Sequence, residues 1–308
     1  MNSATKIKVV GVGGSGGNAI FRMRKSKIKG VELIAMNTDF QDLKKIKADV
    51  KLQIGGEITK GLGTGMNPEI GKAAALQSKE EIREVLQGAD MVFITGGLGG
   101  GTGSGAAPII ADIAKGLGIL TVAVVTLPFS FEGAYRKRIA QVSKEALRSK
   151  VDALVIIKND KLLDTLEPDT PLLSAFWLCD DILREAVKGI SDLILLPGIV
   201  NVDFADVKSI LENSGSALFG IGKSRGEKRA EEAVIQALNS PLLDLTPRGA
   251  KGILFNVSGE DVALSEIEEI GKIITKEINP KAKVIFGAVQ DEKLKKGEIK
   301  VTVIITGF

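Results

Sequence analysis

The amino-acid sequence predicts an α/β protein with an N-terminal doubly wound parallel-sheet domain, a long central helix and a C-terminal α+β domain. In the first half of the chain, short apolar strands alternate with amphipathic helical segments, which is typical of a parallel sheet covered on both faces. Two dense glycine runs each follow an apolar strand. A helical periodicity then spans residues 170–193, and the pattern changes again after Gly215. We therefore place domains at 1–169, 170–196 and 197–308.

The individual elements follow from the spacing of the apolar residues. Short apolar runs bounded by glycine or polar residues predict first-half strands at 6–12, 31–36, 52–54, 90–95, 120–126 and 153–157. Helical spacing predicts helices at 18–25, 69–87, 106–117 and 136–150. Beyond the long helix, a helix begins near Phe204. The remaining elements are strands near 217–221 and at 252–257, 283–288 and 299–306, with helices at 226–239 and 264–277.

The composition excludes several kinds of chemistry. The chain has no histidine and a single cysteine, Cys179, so an intrachain disulfide and a Cys/His zinc site are impossible. Any catalysis must use carboxylates, Lys or Arg, hydroxyls, backbone amides or a bound ion. Cys179 follows Trp177 and Leu178, which favours a buried structural thiol over a reactive one. The net charge of +3 is spread along the chain, and no basic stripe with interleaved aromatics indicates nucleic-acid binding.

The first glycine run, Gly11–Asn18 (GVGGSGGN), lies between a predicted strand and a predicted helix. Glycine allows the backbone to approach a ligand closely, and the free amides of a helix N-terminus favour phosphate by about 0.3–1 kcal/mol each. The run also fits a dinucleotide-binding fold, which expects an acid about 20 residues further on. Glu32 and Asp39 fit that role poorly. A tight turn with close packing is a third interpretation.

The second glycine run, Gly96–Pro108 (GGLGGGTGSGAAP), is more specific. A simple turn needs one or two glycines, and so many in series cost much backbone entropy. We interpret the run as backbone wrapped around a multiply charged anion, with the hydroxyls of Thr102 and Ser104 as donors. Two runs directed at one ligand fit a triphosphate better than a dinucleotide. The pattern GxxxxGK[ST] is missing, so the chain is not an ordinary P-loop NTPase.

Three segments together resemble one known family. Gly99–Gly105 (GGGTGSG) is similar to the tubulin signature, and Gly11–Met23 and Asn201–Val207 (NVDFADV) resemble the first glycine loop and the synergy loop of the FtsZ family. The resemblance covers 6–308. It implies a tubulin/FtsZ-like fold in which 1–169 form a GTP-binding domain and 197–308 contain the synergy loop. It also implies bacterial, tubulin-like cell-division activity: a GTP-dependent polymer that assembles head to tail and hydrolyses GTP at subunit interfaces.

The resemblance also implies which residues hold the phosphates and ribose. Both glycine runs would surround the phosphates, with Thr102 on the γ-phosphate side. Glu132 and Arg136 match family positions that contact the ribose and phosphate region, although without the family they would be a surface-loop pair. The residues expected to bind the phosphates and ribose are Gly13, Gly14, Ser15, Gly97, Leu98, Gly99, Gly100, Gly101, Thr102, Gly103, Glu132 and Arg136.

Base recognition would belong to Asn18, Asn159, Phe176 and Asp180. A carboxylate can accept hydrogens from both N1–H and N2–H of guanine, and adenine does not offer this pair. An aromatic residue four positions earlier lies on the same helix face and can stack on the base, which is the spacing of Phe176 and Asp180. Asp181 is the competing register. Core packing for Phe176 and a solvated helix face for Asp180 remain alternatives, and the neighbouring Trp departs from the usual family pattern.

Asp203 and Asp206 are the candidate catalytic residues, with Asn201 in support. Their spacing of three at a helix start can direct both carboxylates one way. Helix N-capping is the alternative role. In the family, these acids act on the GTP of the next subunit and orient the attacking water. The resemblance further implies GTP or GDP as ligand, Mg²⁺ on the β- and γ-phosphate oxygens without a dedicated protein metal site, and allows a monovalent cation at the interface.

The expected partners are other copies of this chain, division-ring proteins and membrane-tethering proteins. The family peptide that binds the tethering proteins lies beyond the final strand and is not present before Phe308. No signal peptide is visible and no apolar run reaches the ~18–20 residues that span a bilayer, so we expect a cytoplasmic protein at the division site. Two other functions remain open: a nicotinamide- or flavin-dependent oxidoreductase using the first glycine run, and a nucleotide-binding filament protein with little hydrolysis.

Overall fold

The computed structural model describes residues 5–308 except 27, 29, 164–165, 168, 197, 241–248 and 292–293. The chain divides into two compact units, Met1–Lys188 and Gly189–Phe308, and the division falls inside a long helix. The first unit is α/β and the second is α+β. The predicted fold class is therefore confirmed.

Six parallel strands form the sheet of the first unit. They are β1 (Ile7–Val12), β2 (Val31–Asn37), β3 (Val50–Gln53), β4 (Met91–Gly97), β5 (Leu120–Leu127) and β6 (Ala153–Lys158). Their spatial order is β3-β2-β1-β4-β5-β6. In the register, Val9 of β1 is paired with Leu33 on one side and Phe93 on the other. The central strands are buried along nearly their whole length, as near-continuous Val/Ile-rich runs require.

Helices cover this sheet and connect its strands. They are α1 (Gly13–Lys25), α2 (Phe40–Lys45), α3 (Gly56–Thr59), α4 (Pro68–Gln77), α5 (Lys79–Leu86), α6 (Thr102–Gly116), α7 (Ala134–Arg148) and α8 (Asn159–Leu163). The long helix α9 (Leu172–Leu195) follows them and contains the division between the units. A 3₁₀ turn covers Ser130–Glu132. The apolar faces of α4, α5 and α6 pack into the main core with the strands, for example through Ile82, Ile110 and Ile94.

Several boundaries differ from the sequence-based prediction. The predicted helix at 69–87 is two helices, α4 and α5, because Ser78 leaves the helical conformation and its buried hydroxyl accepts the N–H of Gly55 at 3.1 Å. Both α1 and α6 begin inside the glycine runs, four to five residues earlier than predicted. The short helices α2, α3 and α8 were not predicted, since four to six residues are too few for a periodic pattern.

In its described residues, the second unit combines a mixed sheet with the end of α9 and three further helices. Its elements are α10 (Phe204–Leu211), β7 (Gly215–Arg225), α11 (Arg229–Leu238), β8 (Gly252–Gly259), α12 (Leu264–Glu277), β9 (Lys283–Gln290) and β10 (Glu298–Thr306). The strand order is β7-β10-β8-β9; β10 is antiparallel to β7 and β8, and β8 is parallel to β9. Val234 of α11 and Ile270 and Ile274 of α12 pack with Phe255 and Val301 in the core of this unit.

Candidate nucleotide-binding site

The strand order of the first unit places a switch point between β1 and β4. From β1 the sheet continues to β2 on one side and to β4 on the other, and ligands of such sheets bind at the carboxyl ends of the strands at this point. Both glycine runs leave the carboxyl ends of these two neighbouring strands. A cavity of about 370 Å³ opens there, a size typical of small-molecule sites. All residues that line it belong to the first unit.

Two helix N-termini begin at this cavity. Gly13, the first residue of α1, and Thr102, the first residue of α6, both line it. The preceding residues, Val12 and Gly101, make no side-chain capping hydrogen bond, and neither helix has an acid in its first turn. The first four N–H groups of a helix have no partner within the helix. Two uncapped N-termini at one cavity therefore create a strong preference for an anion.

Several glycines of both runs are needed for close backbone packing, a role that was considered from the sequence only for the first run. A Cβ on Gly16 would lie 2.6 Å from the carbonyl carbon of Gly11, and a Cβ on Gly103 would lie 2.7 Å from the carbonyl oxygen of Gly97. At Gly101 the nearest atom would be the Thr64 hydroxyl, at 2.0 Å. These glycines are required for backbone packing. Gly100, by contrast, has open space around a Cβ, so its position is free for a ligand.

The predicted phosphate-binding residues meet at the cavity with one exception. Gly99 does not line it; its N–H donates to the Ser104 hydroxyl oxygen at 2.8 Å. Ser104, which the sequence suggested as a donor to the anion, is buried outside the lining and braces the glycine run instead. The residues of the predicted set that line the cavity are Gly13, Gly14, Ser15, Gly97, Leu98, Gly100, Gly101, Thr102, Gly103, Glu132 and Arg136.

Three threonine hydroxyls converge beside the second glycine run. The oxygen of Thr102 lies 2.9 Å from that of Thr38 and 3.5 Å from that of Thr64. All three residues are buried, and Thr102 and Thr64 line the cavity. A hydroxyl both donates and accepts, so Thr38 and Thr64 fix the orientation of the Thr102 hydroxyl. Thr38 and Thr64 were not singled out from the sequence, because their contacts span 38 to 64 positions of the chain.

Glu132 and Arg136 form an ion pair at the cavity wall. A guanidinium N–H of Arg136 donates to Glu132 Oε2 at 2.9 Å, and the N–H of Phe129 donates to Glu132 Oε1 at 2.8 Å. Both oxygens of this carboxylate therefore have partners. The Arg136 side chain is less than half exposed and keeps further N–H donors for a ligand.

Asn159, Phe176 and Asp180 also line the cavity. Phe176 makes an edge-to-face contact with Phe129, with ring centroids 5.5 Å apart. Asp181, the competing register, does not line the cavity; it is half exposed and pairs with Arg184 on its own helix at 2.9 Å. Asn18 is exposed on α1 and does not line the cavity either. The set predicted for base recognition is thus brought together except for Asn18.

The carboxamide oxygen of Asn159 is buried and has no hydrogen-bond partner within the described part of the chain. A buried polar atom without a partner costs about 1–3 kcal/mol. Asn159 also lines the cavity. A ligand that brings an N–H or O–H donor to this position would remove that cost.

Asp180 is a buried carboxylate held by an arginine that the sequence analysis did not assign to the site. Arg22 Nε donates to Asp180 Oδ2 at 3.1 Å, and the Arg22 guanidinium lies over the Trp177 ring at 5.2 Å from its centroid. Burial raises the pKa of Asp180 to about 6; Arg22 opposes this rise and the neighbouring Asp181 adds to it. The periodicity of α1 alone could not reveal this contact across 158 positions.

Cys179 also lines the cavity, but its thiol is unreactive. It is buried, and its thiol donates to the carbonyl of Ala175 at 3.3 Å. Burial raises the pKa of Cys179 to about 12, so the thiol stays protonated. The prediction of a buried structural thiol is confirmed. The other lining residues that were not predicted from the sequence are Val12, Thr64, Gly65, Met66, Thr126 and Pro128. Gly65 is the one with a recognisable sequence signal, because it lies in a glycine-rich stretch.

The candidate catalytic residues lie in the second unit and are exposed. Asp203 is the N-cap of α10, and its Oδ1 accepts the N–H of Ala205 at 3.2 Å. Asp206 lies in the first turn of the same helix. The Asn201 carboxamide oxygen accepts the N–H of Gly198 at 2.7 Å. Asp203 therefore does cap the helix, and capping leaves its second oxygen available for another partner.

Two further properties concern the described residues. No three or more of their cysteine, aspartate and glutamate side chains are grouped to hold a metal ion. No helix in the same part of the chain is long and apolar enough to cross a membrane.

Nearly the whole chain matches known proteins in sequence and in fold. The family model "Tubulin/FtsZ family, GTPase domain" matches residues 6–167, and "FtsZ family, C-terminal domain" matches 215–308. The chain is 53% identical to cell division protein FtsZ 1 of Thermococcus kodakarensis, over 98% of this chain and 80% of that protein.

Solved structures agree with these matches. An empty FtsZ dimer of M. jannaschii superposes with a TM-score of 0.96 at 49% identity and covers 100% of this chain and 89% of its own. A GTPγS-bound CetZ2 protofilament from Haloferax volcanii shares the fold, with a TM-score of 0.80 at 24% identity over 98% and 92% of the two chains. The cavity at the β1/β4 switch point, the two glycine runs and these matches lead to one conclusion: the chain belongs to the FtsZ family of tubulin-like cell-division GTPases, which bind GTP and GDP.

Proposed function

We propose that copies of this chain assemble head to tail and that each GTP is hydrolysed by a site shared between two copies. One copy supplies the cavity of its first unit, and the next copy supplies Asp203, Asp206 and Asn201. The proposal extends to the sequence-based domain division, with 1–169 binding GTP, 170–196 forming the central helix and 197–308 supplying the catalytic acids. The family models matched at 6–167 and 215–308 support this division.

The main support for the proposal is that the carboxylates lining the cavity already have other partners. Among the described lining residues the only carboxylates are Glu132 and Asp180. Glu132 has both oxygens hydrogen-bonded, and Asp180 is paired with Arg22. Glu132 is bonded to the turn and to Arg136, and Asp180 is assigned below to the guanine base, so neither is assigned to the attacking water. Asp203 and Asp206, by contrast, are exposed at the start of α10. A neighbouring copy is therefore the natural source of the missing acid.

The chemistry is phosphoryl transfer to water, in which positioning and charge stabilisation dominate. The N–H groups at the starts of α1 and α6 stabilise negative charge on the phosphates, and Arg136 adds a cation at the cavity wall. Thr102, oriented by Thr38 and Thr64, donates its hydroxyl to a phosphate oxygen. Asp203 and Asp206 of the next copy orient the attacking water, with Asn201 holding the segment before α10.

Mg²⁺ would complete the site. The hydroxyl oxygen of Thr64, which lines the cavity, is a hard ligand of the kind this ion prefers, and the remaining ligands would be phosphate and water oxygens. When bound, the ion would neutralise negative charge on the nucleotide phosphates. A monovalent cation at the interface between copies is a further part of the proposal.

Guanine recognition is assigned to Asp180, Asn159 and Phe176. Asp180 accepts from N1–H and N2–H, Phe176 stacks on the base, and Asn159 offers an acceptor that has no partner within the described chain. Asn18 lies at i−4 to Arg22 on α1, so both project from one helix face, and Arg22 contacts Asp180. We assign Asn18 to the rim of the base site on this ground.

The setting of this activity is the division site, inside the cell. The relative in Thermococcus kodakarensis is named a cell division protein, and the M. jannaschii relative has been solved as a dimer. Division-ring and membrane-tethering proteins are the expected further partners.

The test is GTP turnover as a function of protein concentration, with ATP as the control nucleotide. A shared site requires a threshold concentration below which turnover per molecule falls to near zero, and it requires GTP over ATP. Asp206→Ala should lose turnover while it retains GDP binding, because its own cavity is intact. Turnover per molecule that stays constant down to high dilution would mean that each copy carries a complete site, and the proposal would be wrong.

A further inference from the structure

The group that faces the base-reading carboxylate is a cation from a different helix. Arg22 of α1 donates to Asp180 Oδ2 at 3.1 Å, and only 11% of the Asp180 side chain is exposed. Arg22 also lies over the Trp177 ring, with its guanidinium carbon 5.2 Å from the ring centroid. An arginine that contacts both an aromatic ring and a buried carboxylate has a defined position, and its charge acts on that carboxylate with little screening.

The protonation state of Asp180 determines which base it can pair with. An ionised carboxylate has two acceptor oxygens, which match the N1–H and N2–H donors of guanine. A protonated carboxyl has one donor and one acceptor, which match the N1 acceptor and N6–H donor of adenine. The same side chain can therefore favour either purine, and the choice depends on what keeps it charged.

We infer that Arg22 is a specificity-determining residue, whose guanidinium keeps Asp180 in the ionised form that prefers guanine over adenine. The inference rests on the proposed role of Asp180 in base recognition and adds the residue that enforces it. Arg22 acts through Asp180, so it is a positioning residue for the charge and not a catalytic residue.

Burial and a neighbouring acid oppose the effect of Arg22 on Asp180. Asp181, the next residue on α9, disfavours a second negative charge, and burial does the same, so that the pKa of Asp180 is about 6 even with Arg22 in place. Cys179 stays protonated, because burial and the negative charges of Asp180 and Glu132 raise its pKa. Arg22 is the cation among the groups that determine this pKa, so its removal shifts Asp180 toward the neutral form at neutral pH.

The experiment is isothermal titration calorimetry of GDP and of ADP, from pH 5 to pH 8, on the full chain. GDP keeps hydrolysis out of the measurement. Wild type should prefer GDP at pH 7.5 and lose the preference as the pH falls through about 6. Arg22→Met should move this midpoint up by about 1 to 3 pH units, since an opposite charge at this distance lowers a carboxyl pKa by that amount. At pH 7, a shift of two units should lower GDP affinity about tenfold and raise ADP affinity about tenfold, so the GDP-to-ADP preference should fall about a hundredfold.

Two control variants separate charge from structure. Arg22→Lys keeps the positive charge and should stay near the wild-type midpoint. Arg24→Met removes an arginine from the same helix that pairs with Asp49, and it should behave as wild type. Arg22→Gln serves as a second charge-free variant if Arg22→Met does not fold.

The outcomes distinguish this inference from the function on which it rests. If Asp180→Asn loses the GDP preference but Arg22→Met and Arg22→Gln keep the wild-type preference and midpoint, Asp180 reads the base and the inference about Arg22 is overturned. Equal loss of GDP and ADP affinity in the Arg22 variants would also overturn it, because Arg22 would then act on both nucleotides alike. If Asp180→Asn keeps the wild-type GDP preference, the assignment of Asp180 itself fails.

Discussion

Replacement of Gly105 by alanine tests whether the glycine runs are required for packing. Gly105 lies in the second turn of α6, and a Cβ there would lie 2.0 Å from the carbonyl oxygen of Pro68 and 2.6 Å from the N of Lys72. Both are backbone atoms of α4. Because C···O contacts are rarely closer than about 3.3 Å, the two helices would have to separate locally by about 1.3 Å, the difference between 3.3 and 2.0.

The expected cost follows from that displacement. Overpacking of a core costs about 1–3 kcal/mol, and contact with main-chain atoms that cannot rotate away places Gly105→Ala at the upper end. Alanine gains up to about 1 kcal/mol over glycine inside a helix, which is too little to compensate. A net loss of about 2–3 kcal/mol lowers Tm by about 4–12 °C for a domain of this size.

The assay is differential scanning calorimetry of the nucleotide-free protein, with Gly271→Ala as the matched control. Gly271 lies inside α12 and has open space around a Cβ, so this variant should be stabilised by about 0.5–1 kcal/mol. The packing argument is refuted if Gly105→Ala melts at or above the wild-type temperature, or if both variants are destabilised equally.

Three other substitutions probe the site and the second unit. In the nucleotide-free protein the folded-state pKa of Asp180 is raised, so its contribution to stability is present below about pH 4 and lost as the pH rises through about 6. In thermal melts, the Tm of Asp180→Asn should therefore equal the wild-type Tm at pH 4 and exceed it at pH 7. A Tm difference that is the same at both pH values would contradict this. Asp160 accepts from both the N–H and the hydroxyl of Ser130, at 2.7 and 2.6 Å. Asp160→Ala should release the turn beside Glu132 and weaken GDP binding about tenfold in a calorimetric titration, a loss of about 1.4 kcal/mol of binding free energy. Unchanged GDP affinity would exclude this role. Arg229 of α11 forms an ion pair with Glu266 of α12 at 2.6 Å. In urea titrations, Arg229→Met should lower the free energy of unfolding by about 1–3 kcal/mol and leave GDP affinity unchanged. A loss of GDP affinity would contradict the separation of nucleotide binding from the stability of the second unit.

The sequence was sufficient to locate the site because its signals are local. Each glycine run lies between a strand and a helix, and this order alone places it at the carboxyl end of a parallel strand. The spacing of Phe176 and Asp180 similarly follows from the helical repeat, and the structure has both of them at the cavity while Asp181 lies outside it. Strand–loop–helix order and residue spacing are properties of short segments, so they can be predicted without knowledge of tertiary contacts.

The features that the sequence could not predict depend on contacts between distant segments. The hydroxyl pair of Thr38 and Thr102, the ion pair of Arg22 with Asp180 and the helix break at Ser78 each need a partner far away in the chain. The packing role of the glycines is of the same kind, since the clash at Gly105 involves α4. A local pattern indicates that a glycine or an arginine is present but not which atoms it approaches.

The central claim, a GTPase site shared between two copies, is tested most directly by mixing two inactive variants. Asp206→Ala keeps the cavity and lacks the acid, and Asp180→Ala, once calorimetry shows that it no longer binds GTP, keeps the acid and lacks a working cavity. Random head-to-tail assembly of equal amounts makes about one junction in four complete. The account predicts that the mixture hydrolyses GTP at up to about a quarter of the wild-type rate while each variant alone is inactive. A mixture that remains as inactive as its components, under conditions where the two variants co-assemble, would contradict it.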